Sequence, residues 1–102
     1  MQPLSYFIQK RGNMCEYCHS RPATDRHHAL ERRQKRYPEL DNEVNIESVC
    51  HACHMSGILD TSEHALSFAL KQIKRGFDVC GWYDSLPLKV KRFPNLRQEI
   101  GC

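Results

Sequence analysis

The sequence predicts a small single-domain α+β protein organised around bound metal. Three observations predict it. Two Cys-x-x-Cys pairs, Cys15/Cys18 and Cys50/Cys53, stand 31 residues apart. Two short segments, 22–30 and 44–49, read as extended. A third stretch, about 62–75, carries apolar residues at helical spacing. At 102 residues the chain has room for one domain (1–102) with a modest core, so extra staples are expected. The composition, 40% hydrophobic and 26% charged, fits a folded soluble protein rather than a disordered tail. No apolar run reaches bilayer-spanning length, and the first eight residues lack the features of a secretory signal. A TIM barrel, a two-domain Rossmann enzyme and a membrane channel are excluded, and no membrane role is expected.

Taken in order, residues 1–14 form a lead-in with an apolar cluster, Leu4, Tyr6, Phe7 and Ile8, followed by Lys10-Arg11-Gly12-Asn13. Cys15-Glu16-Tyr17-Cys18 reads as a tight metal-binding turn. The first strand is expected within 22–30, opened by Pro22. Residues 34–42 are polar and hold Pro38, and so form a loop. Val44, Ile46 and Val49 suggest a second strand that runs into Cys50-His51-Ala52-Cys53-His54. For the helix at about 62–75, Asp60 and Glu63 offer a capping pair. Leu66, Ala69, Leu70, Ile73 and Phe77 form its core face, and Gly76 closes it. The remainder, 85–102, is a basic tail with Pro87, Pro94 and an alternating Leu88-Lys89-Val90-Lys91; Trp82 just before it reads as core.

Six cysteines and six histidines exceed what packing needs. An even cysteine count allows a disulfide scaffold. The Cys-x-x-Cys pairing and the absence of a recognisable secretory signal favour thiolate ligands in a reducing compartment. Zinc takes four tetrahedral thiolate or imidazole ligands, and two such turns make a closed structural site whose binding energy adds to folding. Cys80 and Cys102 stand outside the frame and read as free thiols.

The net charge of +3 is unevenly placed. Arg26, Arg32, Arg33, Lys35 and Arg36 oppose a single Glu31 within 26–36, whereas 37–70 has no Lys or Arg. Basic blocks of this kind suit a phosphate backbone; the alternative is a solvated charged surface.

Between the cysteine pairs lies Asp25-Arg26-His27-His28; Asn45 follows His28 by seventeen positions, and His54 follows Asn45 by nine. The series from Cys15 to His54, with its closing Asn45-Ile46-Glu47-Ser48-Val49-Cys50-His51-Ala52-Cys53-His54, resembles the HNH endonuclease family. Tyr37-Pro38-Glu39 and the downstream helix are similar to small phage-type members. The resemblance implies a ββα-metal (His-Me finger) core at about 22–60, framed by the cysteine zinc site. It implies that His28 is the general base, that His27 and His54, the latter at the start of a helix, bind a catalytic divalent cation, and that Asn45 holds the loop or the base in position. Magnesium, manganese, nickel and zinc all remain open as that cation, because imidazole ligands weaken a strict magnesium preference. The pair could also slip by one, with His27 as base. Many members carry a second histidine four residues after the helix histidine; here that position is Ile58, and Asp60 or His64 could approach the metal instead, although neither sits at the same spacing. His19, His51 and His64 read as ordinary polar residues.

The expected activity is therefore metal-dependent hydrolysis of DNA phosphodiesters, in the cytoplasm of a bacterial or phage-infected cell. Arg26, Arg32, Arg33, Lys35 and Arg36 would contact DNA, and a double-strand cut would need a homodimer or sequential nicks. The alternatives are a non-catalytic, zinc-stabilised nucleic-acid-binding module and an adaptor in phage packaging or recombination assemblies.

Overall fold

The computed structural model describes residues 2–87 and 92–102. Two short strands, β1 (Asp25–His28) and β2 (Ile46–Val49), pair antiparallel, with Asp25 opposite Val49 and His27 opposite Glu47. Among the described residues five α-helices accompany them: α1 (Leu4–Arg11), α2 (His51–Ser56), α3 (Ser62–Lys74), α4 (Val79–Ser85) and α5 (Leu96–Glu99). The protein is thus a small α+β fold with a two-stranded sheet, as expected. The predicted lead-in is helical. Its basic last turn, Lys10 and Arg11, suits the helix dipole, and Gly12 ends it at φ 94°. Sequence gave little warning, because only Phe7 of this helix is buried.

The expected helix at 62–75 appears as α3, but its details differ. Thr61, not Asp60, is the cap, its hydroxyl accepting from the His64 N–H at 3.1 Å. The buried face is Ala65, Phe68, Ala69 and Gln72, whereas Leu70 and Ile73, expected in the core, are exposed. Gln72 decides the rotation: its amide donates to Glu43 O (3.1 Å) and Val44 O (3.0 Å), and this holds Phe68 inward.

The main core joins Ala29, Leu30, Leu40 and Val44 to Phe68 and Ala69 of α3 and to Val79, Tyr83, Leu86 and Leu96 of the C-terminal part. Trp82 packs at its edge, partly buried. The tail is therefore not merely a basic extension. Its alternating 88–91 segment lies outside the described residues. Cys80 and Cys102 are joined by a disulfide, not free. Both α4 and α5 pack on α3, and Arg97 grips Asp84 at 2.6 and 3.0 Å; the Cα atoms of Cys80 and Cys102 stand 5.6 Å apart, within bridging range.

Buried Glu16, inside the first cysteine turn, ties three elements together. Its carboxylate accepts from the Ser48 N–H of β2 (2.7 Å), from Arg11 of α1 (3.1 Å) and from Arg75 at the end of α3. Burial pushes this carboxyl's pKa up, but the Arg75 and Ser48 hydrogen bonds and the Arg11 charge outweigh it and leave it below the usual range. No helix among the described residues is long and apolar enough to cross a membrane.

Candidate metal centre

The Sγ atoms of Cys15, Cys18, Cys50 and Cys53 lie within 4.8 Å of one another. Four sulfurs at about 2.3 Å from a tetrahedral zinc would stand about 3.8 Å apart; Cys18 and Cys50 are 3.9 Å apart. Backbone N–H groups of residues 18, 20 and 53 point at the sulfurs of Cys15, Cys18 and Cys50 at 3.4–3.5 Å. The Ser20 N–H chiefly lowers the Cys18 thiol pKa, and the Cys53 N–H lowers that of Cys50. Burial, then the neighbouring sulfurs, push Cys53 up to about 12. Four such sulfurs cannot all be thiolates without a cation among them, so the donor set fits a metal ion. Val49 and Leu59 close an apolar layer around it.

The frame fixes the ends of β1 and β2, and alternation along β1 sorts its side chains. Asp25 and His27 share one face; Arg26 and His28 share the other. On the first face the His27 and His54 rings meet edge to face, 5.1 Å apart. His27 is 1% exposed and its Nε2 has no hydrogen-bond partner. Burial, reinforced by the His54 charge, lowers its pKa to about 4, leaving a neutral ring with a lone pair. His54 is the fourth residue of α2 rather than its first. Its Nδ1 meets Asp25 Oδ2 at 2.8 Å, and exposed His51 reaches the same oxygen at 2.9 Å. A carboxylate only accepts, so it favours the proton on Nδ1 and leaves Nε2 of His54 as a donor to a metal. Burial raises the Asp25 pKa, but the two imidazoles and Thr24 outweigh it and hold it below the usual range.

On the second face, at the last position of β1, His28 Nε2 lies 3.2 Å from Asp41 Oδ1, which also accepts from Arg26 at 3.1 Å. Burial lowers the His28 pKa, with Asp41 partly opposing it. The structure therefore brings His27 and His54 together and sets His28 beside Asp41 on the other side of the strand.

Asn45 is 0% exposed, and its amide is saturated. Oδ1 accepts from Leu30 N–H (2.8 Å) and Glu31 N–H (3.0 Å), while Nδ2 donates to Glu31 O and Leu40 O, both at 2.8 Å. It pins the 29–40 loop, and with it the short turn that presents Asp41.

The basic block divides. Arg26 is engaged by Asp41 and Arg32 by Asp60 (2.5 Å), whereas Arg33 and Arg36 flank the Tyr37 ring at 5.7 Å and, like Lys35, are exposed. His64, expected to be an ordinary polar residue, is nearly buried and bonded to buried Glu47 at 2.8 and 3.1 Å.

No family model, curated protein or solved structure matches this chain.

Sequence reasoning missed Asp25, Asp41 and Glu47. The first was recoverable from the strand period, two residues before His27. The other two depend on which loop and which strand face the histidines.

Proposed function

We propose that the protein is a zinc-stabilised, metal-dependent DNA endonuclease of the HNH, ββα-metal type. The observation that carries the reading is the pairing of buried His27 with half-buried His54, with His27 Nε2 unpartnered and His54 oriented by Asp25. Cys15, Cys18, Cys50 and Cys53 hold a structural zinc. His27 and His54 would hold a divalent cation, which supplies charge stabilisation to the phosphate oxygens as the bond breaks.

His28 is the general base. Asp41 fixes its Nε2 as the protonated nitrogen, so Nδ1 is free to accept the proton of the attacking water. His28 stands at the last position of β1, so on this reading the scissile phosphate would lie across that strand end, within reach of both faces. Asn45 is a positioning residue: it holds the loop that carries Asp41. Arg33, Lys35 and Arg36 project from that loop toward a phosphate backbone. One centre cuts one strand; a homodimer would cut both. A place in phage packaging or recombination belongs to the same proposal.

The test is nicking of supercoiled plasmid with Mg²⁺, Mn²⁺ or Ni²⁺. Wild type should nick and His28→Ala should lose at least ~10²-fold. Equal nicking by His28→Ala removes the assigned base; no cleavage by wild type with any cation removes the nuclease reading. The placement of His28 across the strand from the His27–His54 pair favours a second reading, a non-catalytic nucleic-acid-binding module. Salt-dependent DNA binding without cleavage would select it.

A further inference from the structure

A ligand for the His27–His54 centre is missing from the position where a helical repeat would put it. Helix α2 ends at Ser56, and Gly57 turns the chain at φ 80°. Ile58, four residues after His54, therefore lies outside the helix and is 46% exposed. A histidine there would not share the face of α2 that carries His54. The connector then dives back: Leu59 is fully buried beside the cysteine frame, and the next residue, Asp60, comes over β1.

Asp60 Oδ1 lies 4.0 Å from His27 Nε2. That distance is too long for a hydrogen bond. Adjacent ligands at about 2.1 Å from one cation stand roughly 3.0 Å apart at a right angle and about 3.4 Å apart in a tetrahedron, so a cation between them needs the Asp60 carboxylate to close in by about half an ångström. His27 Nε2 is buried and unpartnered, so it faces a carboxylate across that gap. Two guanidiniums hold the same carboxylate: Arg32 at 2.5 Å and Arg92 at 3.7 Å. Positive charge already stands beside Asp60, in reach of the position a metal would take.

We propose that Asp60 is the third protein ligand of the cation held by His27 and His54, supplied by the α2–α3 connector in place of a second helix histidine, and that Arg32 competes with that cation for the carboxylate. This rests on the reading of the His27–His54 pair as a cation site. The ligand set is two imidazoles and one carboxylate, with the remaining positions open to water and phosphate. That donor set accommodates Mn²⁺ as well as Zn²⁺.

The experiment uses the full-length, zinc-loaded protein titrated with Mn²⁺, free Mn²⁺ being followed by electron paramagnetic resonance. Wild type should bind one Mn²⁺ per chain. Asp60→Asn, nearly isosteric, should bind it at least ~10-fold more weakly while retaining its zinc and its circular dichroism. Arg32→Gln, which removes the competitor, should bind it equally or more tightly. If Asp60 served only as the ion-pair partner of Arg32, the two substitutions would act in the same direction. Three results would overturn the proposal: Asp60→Asn binding within two-fold of wild type, both variants weakened alike, or no Mn²⁺ bound by wild type. Should Asp60→Asn lose its zinc, Arg32→Gln decides alone, and weaker binding in that variant overturns the proposal. Nicking assays on the same samples separate this from the nuclease reading. Wild type that binds Mn²⁺ through Asp60 but leaves DNA intact refutes the nuclease and not the ligand; wild type that nicks while Asp60→Asn binds normally refutes the ligand alone.

Discussion

Replacing Asn45 by alanine tests whether the centre depends on one buried amide. The side chain is fully buried and makes four hydrogen bonds, two accepted from the N–H groups of Leu30 and Glu31 and two donated to Glu31 O and Leu40 O. Alanine leaves two backbone N–H groups buried without an acceptor, at about 1–3 kcal/mol each. The two carbonyls lose a donor apiece, a smaller loss because a carbonyl tolerates partial satisfaction better than an N–H does. Water entering the vacated volume offsets part of this, so the expected cost is about 4 kcal/mol, a large share of the roughly 5–15 kcal/mol available to a domain. Asn45→Asp should also destabilise, by a different route: it keeps the oxygen that accepts from the Leu30 and Glu31 N–H groups but sets a second oxygen against the Glu31 and Leu40 carbonyls. The assay is urea unfolding of zinc-loaded, disulfide-intact protein, followed by far-UV circular dichroism and by Trp82 fluorescence, with coincident transitions required. If Asn45→Ala unfolds within about 1 kcal/mol of wild type at unchanged m, the amide is not the pin of the 29–40 loop. If the variant is folded, its nicking rate should still fall, because Asp41 and hence His28 depend on that loop.

Glu16→Ala should cost about 3–5 kcal/mol, because it strands Arg11, whose side chain is only 6% exposed, beside Arg75; a loss under about 1 kcal/mol in the same urea assay would contradict this. Wild-type protein should carry one zinc per chain by elemental analysis, and chelation should abolish the protection of β1, β2 and α2 amides in hydrogen exchange; unchanged protection in metal-free protein would remove the structural role of the four cysteines. The double variant Cys80→Ser/Cys102→Ser should lose about 3 kcal/mol, from the chain entropy of a closed loop with a sequence separation of 22, and reduction of wild type should give the same loss. An unchanged urea midpoint would show that α4 and α5 hold the C-terminus without the bridge.

By itself the sequence determined the metal frame, the two strands and the main helix. Each is signalled by residues close together along the chain. Cys-x-x-Cys places two sulfurs on one turn whatever lies beyond it, and the strand period of two already puts Asp25 on the face of His27. The same local logic found α3 but misjudged its rotation. Spacing alone marks Leu70 and Ile73 as apolar; only the carbonyls of Glu43 and Val44, waiting for the Gln72 amide, decide which side faces inward. The basic block shows the same limit. Composition cannot say that Arg26 and Arg32 meet Asp41 and Asp60, which are remote in sequence. Cys80 and Cys102 looked unpaired because nothing in their spacing announces that α4 and α5 both pack on α3. Tertiary structure alone decided these pairings, along with the placement of Asp60 near His27 and of Asp41 beside His28. The physical reason is common to all of them: hydrogen bonds and ion pairs between remote segments follow from which buried surfaces the chain brings together, and a one-dimensional pattern records only which surfaces exist.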